Sequence, residues 1–326
     1  MNTSLIRPLK LGNKLFPNNL TQGPLAGYSC APLRVLANQH GQPAFCYTEM
    51  LSAKNLATQS KISPRFSFKD PQEGPVCFQL SGTDPADLSK AVERVIGFGA
   101  DLIDLNCGCP VSKIRQKGAG SKLLENPELL KKLIMAMKSA TQNHIPISIK
   151  IRIDQNTQNS LTAALIAQEA GVDFITIHGR HWTEGYDIPC QQDPIAEIIS
   201  KLEIPVMANG DAHDTASTLS LLKNTGAAGV MIARASVGQP WLFKQIQTES
   251  DGKIFTQPSI EKIGELFLEH LSGLINLEGE KIAVLQSRKL IKYYGRSLTL
   301  CLELTEQAQK IISFHEMSEL TKQYFI

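Results

Sequence analysis

Eight short runs rich in β-branched and aromatic residues recur through the first 245 or so residues, and helix-period stretches separate most of them. The runs are Asn19–Gln22, Phe45–Thr48, Pro75–Leu80, Leu102–Leu105, Ile147–Ile151, Asp173–Ile177, Pro205–Ala208 and Gly229–Ile232. The stretches between them include Asp84–Ile96, Asn126–Ala140, Ser160–Ala170 and Thr215–Lys223. Alternating β and α elements imply a parallel sheet covered by helices. Several of the runs are continuously apolar, as strands buried on both faces are. Eight strands favour closure into a (β/α)8 TIM barrel, a fold that takes about 250 residues.

The chain has 326 residues, so a barrel leaves room for an appendage. After Trp241 the pattern changes: Gln247–Pro258 is polar with an Asp-Gly pair, and only helical periodicity follows. The expected organisation is an α/β barrel over 1–246, a linker over 247–258 and an all-helical domain over 259–326. Helix starts are well signalled. Asp84-Pro85 and Asn126-Pro127 each place a capping side chain before a first-turn proline, Ser259 can cap the first C-terminal helix, and Gly171 can stop a helix. A second C-terminal helix is expected over about Lys281–Tyr294.

Seven scattered cysteines argue against a disulfide framework and for a reducing compartment. No apolar signal segment opens the chain and no run is long enough for a membrane span, so a cytoplasmic protein is expected. The net charge of +2 announces no nucleic-acid binder; such binding would need a local patch.

In a barrel the active site stands at the C-terminal ends of the strands. Here those ends carry Pro24-Leu25-Ala26-Gly27, Glu49-Met50, Gln79, Asn106-Cys107-Gly108-Cys109-Pro110, Lys150 with Arg152, His178-Gly179-Arg180, Asn209-Gly210-Asp211 and Ala233-Arg234. Gly210 and Arg234 outline a phosphate cradle at the loops after strands seven and eight; a plain turn and a surface ion pair are the alternative. A lysine such as Lys150, aimed into a barrel mouth, requires an anionic or carbonyl partner, whether a reduced anionic cofactor or a Schiff-base substrate. The alternative is a strand residue whose head reaches solvent. Cys109 lies in a loop past a strand, where a thiol can act as nucleophile or general acid. Cys107-Gly108-Cys109 is a weak metal signal, because no second Cys/His pair stands at zinc-site spacing, and no metal is expected. Cys107 reads as a packed strand residue.

These motifs resemble the dihydrouridine synthase family, and are most similar to its bacterial B-type members. The carrying residues are Gly23-Pro24-Leu25-Ala26-Gly27, Gln79-Leu80-Ser81-Gly82, Asn106-Cys107-Gly108-Cys109-Pro110, Gly118-Ala119-Gly120-Ser121, Lys150-Ile151-Arg152, His178-Gly179-Arg180, Asn209-Gly210-Asp211 and Met231-Ile232-Ala233-Arg234 before Gly238-Gln239-Pro240-Trp241. The resemblance implies an oxidoreductase acting on a CH–CH group, with FMN as cofactor, NADPH as reductant and uridine in tRNA as substrate. Pro24, Leu25 and Ala26 would line the isoalloxazine, and Gln79 and Lys150 would meet its polar edge. His178, Asn209, Gly210, Asp211, Ala233 and Arg234 would hold the ribityl chain and phosphate. Cys109 would be the proton donor, with Asn106 and Arg152 placing the uracil. Three departures stand out: Leu25 where methionine is usual, Ala233 where glycine is common, and His181-Trp182 in place of an Arg-Thr continuation.

The helical domain is expected to grip the RNA. Residues 281–296 hold Lys281, Arg288, Lys289, Lys292 and Arg296 and no acid, and Arg288, Lys292 and Arg296 recur every four residues. A merely solvated basic face is the alternative. The chain is read as a monomer. Rival functions are an FMN barrel acting on a small molecule, such as a dihydroorotate or dihydropyrimidine dehydrogenase, a flavin-free phosphate-binding lyase using Lys150, and a non-catalytic RNA-binding barrel.

Overall fold

A computed structural model describes residues 4–155 and 157–325. The chain opens with a hairpin, β1 (Leu9–Leu11) and β2 (Lys14–Phe16). It turns through Gly12 at φ 55°, an angle glycine adopts without a side-chain clash. Nine further strands form one parallel sheet: β3 (Leu20–Gln22), β4 (Phe45–Tyr47), β5 (Leu51–Ser52), β6 (Val76–Ser81), β7 (Leu102–Cys107), β8 (Ile147–Arg152), β9 (Phe174–His178), β10 (Val206–Asn209) and β11 (Gly229–Ile232). β4 pairs with β3 on one side and β6 on the other, which closes the cylinder. The eight expected strands are the eight staves, each within about two residues of its expected bounds; short β5 merely extends the β4–β6 seam.

The surrounding helices are α1 (Ala31–His40), α2 (Ala53–Thr58), α3 (Pro64–Ser67), α4 (Pro85–Gly97), α5 (Ser112–Arg115), α6 (Pro127–Thr141), α7 (Gln158–Glu169), α8 (Asp193–Ile199), α9 (Thr215–Thr225) and α10 (Leu242–Ser250). The expected caps form: Asp84 accepts from Asp87 N at 2.8 Å and Asn126 from Leu129 N at 3.1 Å. Gly171 follows α7 at φ 89°.

Alternation along the staves sorts the side chains into two sets. Ile103, Leu105 and Cys107 of β7, Ile147, Ile149 and Ile151 of β8, and Ile175 and Ile177 of β9 pack outward under the helices. Their alternates face inward. At the base these are Cys77, Leu102, Phe174 and Met207, plugged by Leu9, Leu11 and Phe16 of the hairpin, and Met231 carries that apolar cluster up to the cavity. One step higher stand Asp104, Ser148 and Thr176, all fully buried. At the top stand Asn106, Lys150, Arg152, His178 and Asn209. The barrel interior thus grades from apolar to cationic towards the strands' C-terminal ends.

The C-terminal helices are α11 (Ile260–Glu278), α12 (Glu280–Tyr294), α13 (Cys301–Ala308) and α14 (Phe314–Phe325). Ser259 caps α11 by accepting from Lys262 N. Leu266, Phe267, Leu271, Leu274, Ile291, Tyr294 and Met317 give these helices a core of their own, which Cys30, Leu36 and Trp241 of the barrel join. The segment expected as a linker is helical over its first four residues, because α10 runs on to Ser250. Its remainder turns at Asp251-Gly252, then runs without regular structure to Ser259, pinned where Trp241 Nε1 donates to Gln257 Oε1 at 3.0 Å.

A buried ion cluster ties the helical region to the barrel. Arg65 of α3 meets Glu49, just past β4, at 2.6 Å and Glu278 of α11 at 2.5 Å, and it donates to Gln286 of α12 at 2.6 Å. Glu49 also accepts from Gly27 N at 2.6 Å, so the same carboxylate fixes the loop after β3. Among the described residues no helix is long and apolar enough to cross a membrane.

Candidate active site

The strand ends surround one cavity of about 1010 Å³, which α12 borders through Tyr293. All fourteen barrel residues proposed from sequence line it: Pro24, Leu25, Ala26, Gln79, Asn106, Cys109, Lys150, Arg152, His178, Asn209, Gly210, Asp211, Ala233 and Arg234. Arg288, Lys289 and Lys292 do not.

A chain of hydrogen bonds climbs from the barrel interior to Cys109. Asp104 accepts from Ser148 Oγ at 2.6 Å and from Gln79 Nε2 at 2.8 Å. Gln79 Oε1 accepts from Asn106 Nδ2 at 2.9 Å, and Asn106 Oδ1 accepts from Cys109 N at 2.9 Å. Burial pushes the Asp104 carboxyl up to about 6, with Ser148, Gln79 and Lys150 opposing the rise. The Cys109 carbonyl accepts from Ser121 N and Ser121 Oγ, both at 3.1 Å. Gly120, at φ 62°, lets that loop pass: a Cβ there would stand 2.7 Å from the Cys109 carbonyl oxygen. The Cys109 loop is therefore held at both ends, and the Asn106 amide, expected to place the substrate, first of all positions the thiol.

Lys150 is half-buried, open towards the cavity. Desolvation, then repulsion from Arg152, lowers its ammonium to about 7, against attraction from Asp104 and Cys109. Asp104 is already held by Ser148 and Gln79, so Lys150 keeps unmet capacity for an anion. Burial, then the cations Lys150, Arg152, Arg180 and Arg234, holds His178 well below its usual value, so its imidazole is neutral at neutral pH. Arg152 donates to the His181 carbonyl at 3.2 Å, with part of its guanidinium on the cavity.

Around the mouth Arg180, 1% exposed, grips both oxygens of Asp211 at 2.5 and 2.6 Å and donates to the Ile188 carbonyl at 2.6 Å. Burial alone would raise the Asp211 carboxyl, but the hydrogen bonds from Arg180 and Cys190 N hold it below the ordinary range. Asp211, expected among the residues holding the ribityl chain and phosphate, orients Arg180, and Arg234 lies 3.9 Å from it. Gly210 at φ 130° packs so tightly that a Cβ would reach within 2.4 Å of Cys190 Sγ. The Arg234 guanidinium stacks 3.7 Å from the Tyr186 ring centroid.

Taken together, the lining carries five cations (Lys150, Arg152, Arg180, Arg234 and Arg296) against one carboxylate, Asp211. An anionic ligand with a flat apolar body meets those demands: Pro24, Leu25 and Ala26 offer an apolar wall, and Arg234 beside Gly210 offers a phosphate seat. FMN fits that description.

The basic face expected on α12 is divided. Arg288 Nε and Nη2 both donate to the Ile311 carbonyl, at 3.0 and 2.5 Å, so this arginine ties α12 to the turn before α14 rather than facing RNA. Lys289 turns inward, 4.5 Å over the Tyr28 ring, and burial followed by repulsion from Arg65 lowers its ammonium. Lys292 is exposed, 5.1 Å over Tyr293. Arg296 donates to the Tyr293 carbonyl at 2.7 Å and to the Val237 carbonyl, closing one side of the cavity. Sequence reasoning missed Tyr28 and Tyr186, which reach the cavity from loops, whereas Tyr293 of the basic run, read as able to stack or pack, does line it. It also missed Asp104, although its two-residue offset from Asn106 places both on the inner face.

The architecture and lining define a (β/α)8 barrel with a cation-lined ligand cavity at its strand ends. The fold is similar to the old yellow enzyme homologue from Zymomonas mobilis (TM-score 0.55, 12% identity, 80% of this chain and 96% of that one). Morphinone reductase is similar too (TM-score 0.57, 12% identity, 81% and 93%). The family is set by sequence: the dihydrouridine synthase (Dus) model matches residues 21–324, and the chain belongs to that family. Similar relatives include the probable tRNA-dihydrouridine synthase 1 of a Synechocystis species, 31% identical over 320 residues covering 97% of this chain and 89% of that protein. The tRNA-dihydrouridine synthase B of Pseudomonas aeruginosa is 30% identical over 320 residues, covering 97% and 96%. Dihydrouridine synthases are flavin-dependent oxidoreductases that use FMN with an NAD(P)H reductant. Membership decides against the flavin-free lyase.

Proposed function

We propose that this chain reduces the C5=C6 bond of uridine in tRNA at the cavity described, in the cytoplasm, with NADPH as reductant and Cys109 as the acid. When bound, FMN supplies the hydride that reaches C6 of the uracil. Pro24, Leu25 and Ala26 would lie along its ring, Lys150 and Gln79 at its polar edge, and Gly210 and Arg234 at its phosphate, with Asp211 holding the arginines in place. Lys150 serves as a fixed positive charge beside the anionic edge, the kind of preorganised electrostatics that is often the largest catalytic contribution.

Cys109 donates its thiol proton to C5. The thiolate left behind faces the cavity that the cations Lys150 and Arg152 also line. A proton from solvent restores the thiol after product leaves. Arg152 polarises a uracil carbonyl as negative charge develops on the ring. A stacked uridine cannot enter such a mouth, so the nucleotide is extruded at a cost of about a few kcal/mol. Residues on the helical side of the mouth, among them Lys292, take the RNA backbone.

The observation that carries this reading is the convergence of Cys109, Lys150 and Arg152 on one cation-rich cavity. The test is to incubate the flavin-loaded protein with NADPH and unmodified tRNA and to digest the RNA for nucleoside mass spectrometry. Dihydrouridine is expected. Its absence across a set of tRNAs, with the flavin reduced by NADPH, would overturn the reading.

A further inference from the structure

The loop after β9 carries an exposed aromatic that the reaction outlined above leaves unused. Trp182 is 36% exposed, packed against the His181 ring at 5.3 Å between centroids. The Arg115 guanidinium covers it at 3.6 Å from the ring centroid. Arg115 is not a loose surface cation: its side chain is 13% exposed and fixed by Glu125 at 3.0 Å and by Ser121 Oγ at 2.8 Å. That same Ser121 Oγ donates to the Cys109 carbonyl at 3.1 Å. On the other side, the carbonyl of the preceding residue, His181, accepts from Arg152. The indole is thus rigidly mounted, one short bonded path from the thiol and another from Arg152.

We infer that Trp182 is the platform on which a nucleobase flanking the reduced uridine stacks, so that the extruded nucleotide is delivered in register with Cys109. The inference rests on the tRNA reading above. Extruding one nucleotide leaves its neighbours with an uncovered face, and an indole of fixed orientation offers a replacement surface. Stacking of a base on an aromatic side chain tolerates any base, which suits a site that must read position rather than sequence. Arg115, fixed by Glu125 and Ser121, backs the indole without having to move. Trp182 is accordingly a positioning residue for substrate and takes no part in the bond changes.

Two readouts test it on the full-length, flavin-loaded protein with an unmodified tRNA transcript. In steady-state kinetics, Trp182→Leu should raise KM for the transcript about tenfold, whereas Trp182→Phe keeps it within about threefold of the parent. The slope of log KM against log salt should be the same in all three, because a stacked base releases no counterions. Equal KM values for the Leu and Phe variants would overturn the inference, and so would a shallower salt slope in Trp182→Leu. The second readout needs no turnover. Titration with the transcript should quench the parent's tryptophan fluorescence, and that quench should disappear in Trp182→Phe, since the other tryptophan, Trp241, is only 6% exposed. An identical quench in both proteins contradicts the inference even where no dihydrouridine forms, and a lost quench upholds it. A parent that makes no dihydrouridine with any tRNA counts instead against the proposed function.

Discussion

The barrel mouth and the helix face of α12 are both lined with basic side chains, yet they are built on opposite terms. At the mouth, position is dictated by the strands: every second residue of a stave must point inward, and the last one must reach the cavity. On α12, position is dictated by what the helix happens to pack against. Lys150 and Arg152 point inward because Ile149 and Ile151 point outward. Arg288 and Lys292 are four apart on one helix, but the first is captured by the Ile311 carbonyl and the second is left in solvent. Charge at the mouth is therefore concentrated and preset, while charge on the helix is divided among structural and free roles.

The cluster joining the two regions offers the largest perturbation. Arg65→Met would leave Glu49 and Glu278, which are 7% and 11% exposed, buried without their cation. A loss of about 3–5 kcal/mol in unfolding free energy is expected from a broken buried pair. Denaturant unfolding followed by tryptophan fluorescence would measure it, and a loss under about 1 kcal/mol would mean that the two regions are held by apolar packing alone.

Lys150→Met probes the preset charge at the mouth. A hydrogen bond to a charged group is worth about 1.5–3 kcal/mol, so flavin affinity should fall about tenfold to a hundredfold. The pH dependence has a definite sign. Burial depresses Lys150 from 10.5 to about 7 in the flavin-free protein, so between those values the unfolded chain binds the extra proton. Stability should rise with pH across that window, and the Met variant should flatten the rise. Flavin affinity should fall as pH climbs above about 7 in the parent but not in the variant. Calorimetric titration of FMN at several pH values distinguishes these outcomes from a lysine that merely snorkels.

The smallest effect separates Arg288 from Lys292. Lys292→Glu should raise KM for tRNA severalfold and lower the salt slope by about one, the signature of a lost phosphate contact. Arg288→Gln should leave that slope alone and reduce the melting temperature by a few degrees, through the lost hydrogen bonds to Ile311. If Arg288→Gln changed the salt slope instead, the two regions would be less different than drawn here.

The same contrast explains what could be read without coordinates. The staves were legible because both faces of each strand are constrained, so Ile147–Ile151 announces a strand and Lys150 within it announces an inward cation. The site followed from the strand ends for the same reason. Asp104 was legible in principle, two residues before Asn106, but an acid within an otherwise apolar run gives no hint that Gln79 and Ser148 will satisfy it. The hairpin at Leu9–Phe16 leaves little trace in the sequence: no helix-period stretch flanks it in a β/α alternation, and Gly12-Asn13 between its two short runs is its only local sign. The fate of Arg288 was not legible at all, since it depends on a carbonyl 23 residues away in a turn between two other helices.

The central claim is that the thiol held by Asn106 and Ser121 is the group that protonates the pyrimidine. Single-turnover reaction of pre-reduced protein with tRNA tests it most directly, comparing the parent with Cys109→Ala. The variant should bind FMN and accept electrons from NADPH normally, yet form dihydrouridine about 10²–10⁴-fold more slowly, the range expected when a general acid is removed. A variant that forms product within threefold of the parent rate would contradict the account.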